Sequence, residues 1–127
     1  MSCGEVLAPA IAQASQLITQ QLLQDAKVIT CGNGICGSLA SIFSQSLSLQ
    51  HRLERPGLPA LCLNSDGVLM SAIAAQSSQS DVFSKQLQTV GSKGDVLVAI
   101  SRGANPGNLV QAIRSAHEQG LFCIVLH

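Results

Sequence analysis

The residues with the clearest chemical capacity fall in two short loops. The first holds Gly32, Asn33, Gly34 and Cys36, inside the run Val28-Ile-Thr-Cys-Gly-Asn-Gly-Ile-Cys-Gly37. The second is Ser101-Arg102-Gly-Ala-Asn105-Pro-Gly107. Glycines let a chain turn tightly and let a ligand approach the backbone. Backbone N–H groups aimed from such a turn, at the head of a helix, favour an anion. Ser101 and Asn105 add neutral hydrogen-bonding groups, and Arg102 adds a cation suited to phosphate. The chemistry on offer is capture of a phosphate or a similar anion. Gly32, Gly34 and Gly37 also satisfy G-x-G-x-x-G, which alone is weak evidence for a dinucleotide and fits a plain strand–helix turn as well. No acidic residue stands ready to hold a ribose at the end of the second strand, unless Asp66 does so. Asp66 has two candidate roles, a substrate contact and a helix cap.

No catalytic set, metal site or cofactor is expected. His51, His117 and His127 have no carboxylate partner at a ligating spacing. The five cysteines include no C-x-x-C pair. Cys31, Cys62 and Cys123 fall in apolar runs that read as buried strands, where cysteine acts as a small hydrophobe.

Composition bounds the partners. In 127 residues, 46% are hydrophobic and 11% charged, with seven acidic and seven basic side chains. A typical soluble domain has roughly 25% charged residues. Zero net charge offers no field for nucleic acid or anionic lipid, and no apolar run approaches the ~18 residues of a spanning helix. So little charge points to surface covered by other subunits, since interfaces are depleted in charge. No basic-then-apolar leader is visible, and unpaired thiols suit a reducing compartment, so a cytoplasmic homo-oligomer, tetramer or dimer, is expected.

The elements that must position the two loops follow from periodicity. A helix is expected over Glu5–Gln24, with Leu7, Ile11, Ala14, Ile18 and Leu22 at steps of three and four, and Leu17 and Leu23 widening the stripe toward a partner subunit. A β-branched strand starts at Val28. A second helix is expected from Leu39 to near Leu49, with Leu39, Ile42, Phe43 and Leu47 inward. A strand at Ala60–Leu63 follows a polar connection that carries His51, Arg52 and Arg55. Two helices come next, one ending near Gln76 and one, capped by Asp81, ending at Val90. Asp95–Ile100 is the clearest strand, apolar as a parallel strand covered on both faces should be. A helix to Gln119, with Leu109, Val110, Ile113 and Ala116 inward, leads to a strand at Phe122–Leu126. Alternating strands and helices imply a parallel sheet with right-handed crossovers. Both loops then lie at the carboxyl ends of strands, where such sheets bind ligands.

Three segments in this order, Cys31-Gly-Asn-Gly34, Glu54-Arg-Pro-Gly-Leu-Pro-Ala60 and Gly94-Asp-Val-Leu-Val-Ala-Ile-Ser101, resemble sugar isomerase (SIS) domains of the phosphoheptose isomerase branch. The resemblance runs from the first helix to Leu126. It implies one α/β domain over residues 1–127: a three-layer αβα sandwich with a flavodoxin-like parallel sheet, a core over 27–127, and a chain that stops before the family's last strand and C-terminal helix. It also implies tetramers. In the isomerases of this branch a serine follows the first glycine loop, where this chain has Cys36. A metal-binding histidine and a glutamate on the next helix fall here on Ile42 and Ser46. A phosphate loop S-T-S-G-N-S reads Ser101-Arg-Gly-Ala-Asn-Pro106, keeping Ser101 and Asn105.

The stretch Asn64-Ser-Asp-Gly-Val-Leu-Met-Ser-Ala-Ile-Ala74 resembles the branch's non-enzymatic member, the DnaA initiator-associating protein. With Ile42 and Ser46 in place of ligands, that resemblance leads to an expectation of a non-catalytic oligomeric scaffold that binds DnaA in replication initiation, without touching nucleic acid itself. The alternatives it leaves are an isomerase of sedoheptulose 7-phosphate and a phosphosugar-sensing module. In each case a degenerate phosphosugar site is expected at Gly32, Asn33, Gly34, Cys36, Asp66, Ser101, Arg102 and Asn105, binding weakly.

Overall fold

The computed structural model describes residues 8–49, 57–102 and 106–126. Five helices and four strands alternate: α1 (Ala8–Leu23), β1 (Val28–Gly32), α2 (Ile35–Ser48), β2 (Ala60–Cys62), α3 (Gly67–Gln76), α4 (Val82–Val90), β3 (Val96–Ile100), α5 (Gly107–Gln119) and β4 (Phe122–Leu126). A 3-10 turn, Gln79–Asp81, links α3 to α4. All strand pairs are parallel, in the order β2-β1-β3-β4. The order reverses direction between β1 and β3, the crevice position of doubly wound sheets.

Alternation along the central strands builds two cores. Ile29, Cys31, Leu97 and Ala99 face Leu63, Phe83, Leu87, Leu109 and Ala116, so α3, α4 and α5 cover one side. Val28, Val96, Val98 and Ile100 face Cys36 and Ala40 of α2, with Leu17, Ile18 and Leu22 of α1 packed against them. Both β1 and β3 are buried along their whole length, as expected of strands covered on both faces.

Two faces differ from the sequence expectation. On α2 the inward residues are Cys36, Ala40 and Ser44, with Phe43 and Leu47 packed at the edge. Leu39 and Ile42 point outward, 50% and 58% exposed. The helix starts at Ile35, a turn earlier than expected, because Gly34 at φ 56° lets it begin directly after the strand. Its apolar residues occupy two faces, so hydrophobicity alone selects the wrong one. On α5, Val110 is exposed and Ala112 takes the inward position, as close helix-on-sheet packing favours small residues. On α1, Leu17, Ile18 and Leu22 are taken up by the core while Leu23 is exposed; Leu7 and the side chain of Ile11 lie outside the described residues. So do His51, Arg52, Arg55 and Asn105.

The amino ends of the central strands are tied by Asp95, which is 3% exposed. Its carboxylate accepts from the Lys27 N–H at 3.0 Å, the Lys27 ammonium at 2.6 Å and the Ser92 N–H at 2.9 Å. Replacing Asp95 with Ala leaves those donors unpaired and should cost about 2–4 kcal/mol, below the cost of a fully buried pair because Lys27 retains some solvent contact. Urea titration checks this: the midpoint falls while the slope is unchanged.

Candidate functional site

The crevice forms where β1 and β3 end and the two loops leave the sheet. Each glycine of the first loop answers a separate steric demand. A Cβ on Gly32 would lie 2.6 Å from the Cys36 carbonyl, so glycine lets the first turn of α2 close onto the strand. Gly34 takes positive φ. A Cβ on Gly37 would lie 2.8 Å from the Asn64 amide nitrogen. The G-x-G-x-x-G spacing is therefore accounted for by local packing, with no dinucleotide required.

Asn64 carries the central contact. Its Oδ1 accepts from the Gly32 N–H at 3.1 Å and its Nδ2 donates to the Gly32 carbonyl at 2.7 Å. The side chain thus pairs with the last peptide of β1 as another strand would. A second amide pair joins the two loops: Asn33 Nδ2 donates to Asn108 Oδ1 at 2.9 Å, and Asn108 Nδ2 donates back to Asn33 Oδ1 at 2.7 Å. The glycine turn is held by both, one link to β2 and one to the head of α5.

These bonds change which groups face a ligand. The Gly32 N–H is used by Asn64, and the N–H groups of Cys36, Gly37 and Ser38 donate to the Asn33 and Gly34 carbonyls. At the turn, Gly34 and Ile35 are exposed. Ser101, 3% exposed, ends β3 with its N–H donating to the Leu126 carbonyl at 2.7 Å. A cavity of about 120 Å³ lies between Asn33 and Cys36 on one side and Ser101, Arg102 and Pro106 on the other. So Asn33, Cys36, Ser101 and Arg102 converge, with Gly32 and Gly34 supplying the turn. Asp66 does not join them: its Oδ1 accepts from the Leu69 N–H at 3.0 Å and caps α3.

Asn64 and Asn108 are the site residues that sequence reasoning missed as such. Asn108 directly follows the second loop, in Asn-Pro-Gly-Asn. Asn64 reads as a turn residue until the closeness of β2 to β1 is known.

Among the described residues, no group of three or more His, Cys, Asp or Glu could hold a metal. Ile42 and Ser46 are both exposed on α2, and neither lines the crevice. An isoleucine has no donor atom and a serine hydroxyl is a poor ligand, so the residues present do not fit a metal there. Burial pushes the Cys31 thiol well up, with Cys62 and Cys123 adding to the effect; burial also raises Cys123. These thiols stay protonated and inert. A larger groove, about 630 Å³, runs between α3 and α4 past Ile73, Gln76, Lys85 and Thr89. No described residue of the two loops lines it.

A parallel sheet ordered 2-1-3-4 with two clamped loops at its carboxyl edge is the frame of a doubly wound α/β domain. The SIS domain family matches residues 3–127, and the chain belongs to that family. It is 41% identical over 123 residues to a phosphoheptose isomerase of Chromohalobacter salexigens, a match covering 97% of this chain and 62% of that protein. A phosphoheptose isomerase of Coxiella burnetii is also 41% identical, over 122 residues, covering 96% and 61%. Among solved structures, a phosphoheptose isomerase from Francisella tularensis superposes with a TM-score of 0.92 at 33% identity, covering 96% of this chain and 64% of that one. Phosphoheptose isomerase GmhA from Neisseria gonorrhoeae gives 0.87 at 33%, covering 96% and 63%. The chain spans less than two thirds of the length of these relatives.

These relatives overturn the expected role as a DnaA-binding scaffold. The likeness behind that expectation has a local cause. In Asn64–Ala74 the asparagine clamps β1 and the aspartate caps α3, so the N-x-D pattern serves the fold and identifies no partner. Among the described residues, no helix is long and apolar enough to cross a membrane.

A double-mutant cycle tests the clamp. Gly37→Ala should cost about 1–3 kcal/mol by displacing the Asn64 amide. It should cost measurably less in an Asn64→Ala background, because the two substitutions remove the same contact. Additive costs in urea unfolding would place the strain elsewhere.

Proposed function

We propose that this chain carries the phosphosugar site of a phosphoheptose-isomerase-type protein, whose reaction interconverts a seven-carbon ketose phosphate, sedoheptulose 7-phosphate, with its aldose isomers. The observation that carries this is the convergence of Asn33, Cys36, Ser101 and Arg102 on one crevice, in a chain 41% identical to phosphoheptose isomerases. Gly34 and Ile35 N–H groups at the head of α2 suit the phosphate dianion. Ser101 adds a hydroxyl at the cavity wall. Arg102, exposed at its mouth, supplies the countercharge that the lost hydroxyls of the family's phosphate loop no longer share.

Ketose–aldose isomerisation moves a proton between adjacent carbons and changes no net oxidation state. It needs a base within hydrogen-bond reach. Neither Ile42 nor Ser46 supplies one, so the proton transfer is not assigned to α2. That same pair favours a second reading: a phosphosugar-sensing module that binds without turnover.

Self-association belongs to the proposal. Ile35, Leu39 and Ile42 lie exposed at helical spacing along α2, with Leu49 exposed just past its end, in a chain with 11% charged residues, and a second subunit would cover them.

Incubation with sedoheptulose 7-phosphate, followed by NMR of the anomeric protons, tests turnover. Titration with the same compound, following the amide signals of Gly34, Ile35 and Ser101, tests binding. The isomerase reading expects both shifts and an aldose signal. Shifts without product establish the sensing module. No shifts at millimolar ligand overturn the phosphosugar site. Ser101→Ala should weaken binding about 2- to 10-fold, one neutral hydrogen bond's worth.

A further inference from the structure

We infer that the crevice continues past the Asn33–Asn108 pair into a second compartment, in which Gln79 and Ser80 read the hydroxyl-bearing carbon chain of the ligand. The inference rests on the phosphosugar reading of the crevice and adds to it the residues that select the sugar. Beside the inner cavity lies a second one of about 290 Å³, walled by Gln79, Ser80, Gly107 and Asn108. Asn33 and Pro106 line both cavities, so the two are neighbours across one amide pair. Their chemistry differs. The inner cavity has Arg102 on its wall; among the described residues, no charged side chain lines the outer one. A ligand with an anion at one end and a neutral polyol at the other matches that division.

Gln79 and Ser80 suit a polyol. A carboxamide both donates and accepts, and so does a hydroxyl, as does each hydroxyl of a sugar. Both side chains are exposed. The Asn33–Asn108 pair already uses one donor and one acceptor of each asparagine, which leaves Gln79 and Ser80 as the groups with most capacity to spare.

Their backbone is fixed in advance. The Ser78 hydroxyl accepts from the Ser80 N–H at 3.1 Å. The Asp81 carboxylate accepts from the hydroxyls of Ser77 and Ser78, and the Ser84 hydroxyl donates to the Asp81 carbonyl at 3.4 Å. A loop held this way loses little entropy when a ligand arrives. Gly107 keeps the wall thin: a Cβ there would stand 3.3 Å from Ser80 Oγ.

Calorimetric titration of the chain with inorganic phosphate and with sedoheptulose 7-phosphate tests this, on wild type, Gln79→Leu and Ser80→Ala. In the wild type the sugar phosphate should bind more tightly than phosphate. Each substitution should weaken sugar phosphate about 3- to 10-fold and leave phosphate within about twofold; retained phosphate binding also shows that the variant is folded. Unchanged sugar-phosphate binding in both variants overturns the inference while the phosphosugar site stands. Equal weakening of both ligands overturns it too, since the segment would then be holding the anion. Failure of both ligands on wild type at millimolar concentration removes the phosphosugar site, and the inference with it.

Discussion

The carboxamide of Asn64 lies against the last peptide of β1 as a one-residue strand, accepting from its N–H and donating to its carbonyl. The crevice depends on that pairing. β2 ends at Cys62, paired with Thr30, so at Gly32 β1 has no strand on that side. An unpaired peptide there would be costly. With Asn64 in place, the strand can run one residue further before the glycine turn begins. The same side chain dictates Gly37, which must lack a Cβ to admit it. One polar side chain thereby touches both the end of β1 and the first turn of α2.

The pattern recurs. Most long-range side-chain ties among the described residues are carboxamides. Gln21 donates to the Gly94 carbonyl at 2.6 Å and joins α1 to the start of β3. Gln86 donates to the Leu63 carbonyl at 3.0 Å and joins α4 to the end of β2. Gln119 donates to the Leu87 carbonyl at 3.1 Å, joining α5 to α4. Asn33 and Asn108 close the two loops on one another. Carboxamides do not titrate and lose little to salt, so the frame is held without the charges that this chain lacks. The Lys27–Asp95 pair stands at the opposite, amino end of the sheet. At the ligand end, Arg102 stands on the wall of the cavity.

Much of this was legible in the sequence because single segments carried it. Val96–Ile100 is apolar at every position and is buried at every position. Phe122–Leu126 stands where its composition puts it. The convergence of Gly32–Gly34 with Ser101 and Arg102 followed from parallel connectivity, which sends both loops to one edge. What escaped was set by pairs distant in sequence. Asn64 and Gly32 are 32 positions apart, and Asn33 and Asn108 are 75 apart. No local rule gives an asparagine its partner. The face of α2 escaped for a different reason: Cys36, Ala40 and Ser44 are small or polar, while Ile35, Leu39 and Ile42 are large and apolar. Tight packing on the sheet selects the small face, and periodicity weighted by hydrophobicity selects the other. The Asn64–Ala74 likeness misled because residues chosen for a clamp and a cap looked like a family's functional signature.

The crevice is therefore a rigid frame whose chemistry sits on a few exposed atoms, and its rigidity is measurable without any ligand. Amide hydrogen exchange at Gly32 reports the clamp directly. The Gly32 N–H should be protected nearly as well as those of the buried β1 residues before it. Asn64→Ala should lower that protection about 10- to 100-fold while Val98 in β3 keeps its own, since exchange follows the local opening free energy. A Gly32 amide that exchanges as fast as an exposed loop residue in the wild-type chain would contradict it.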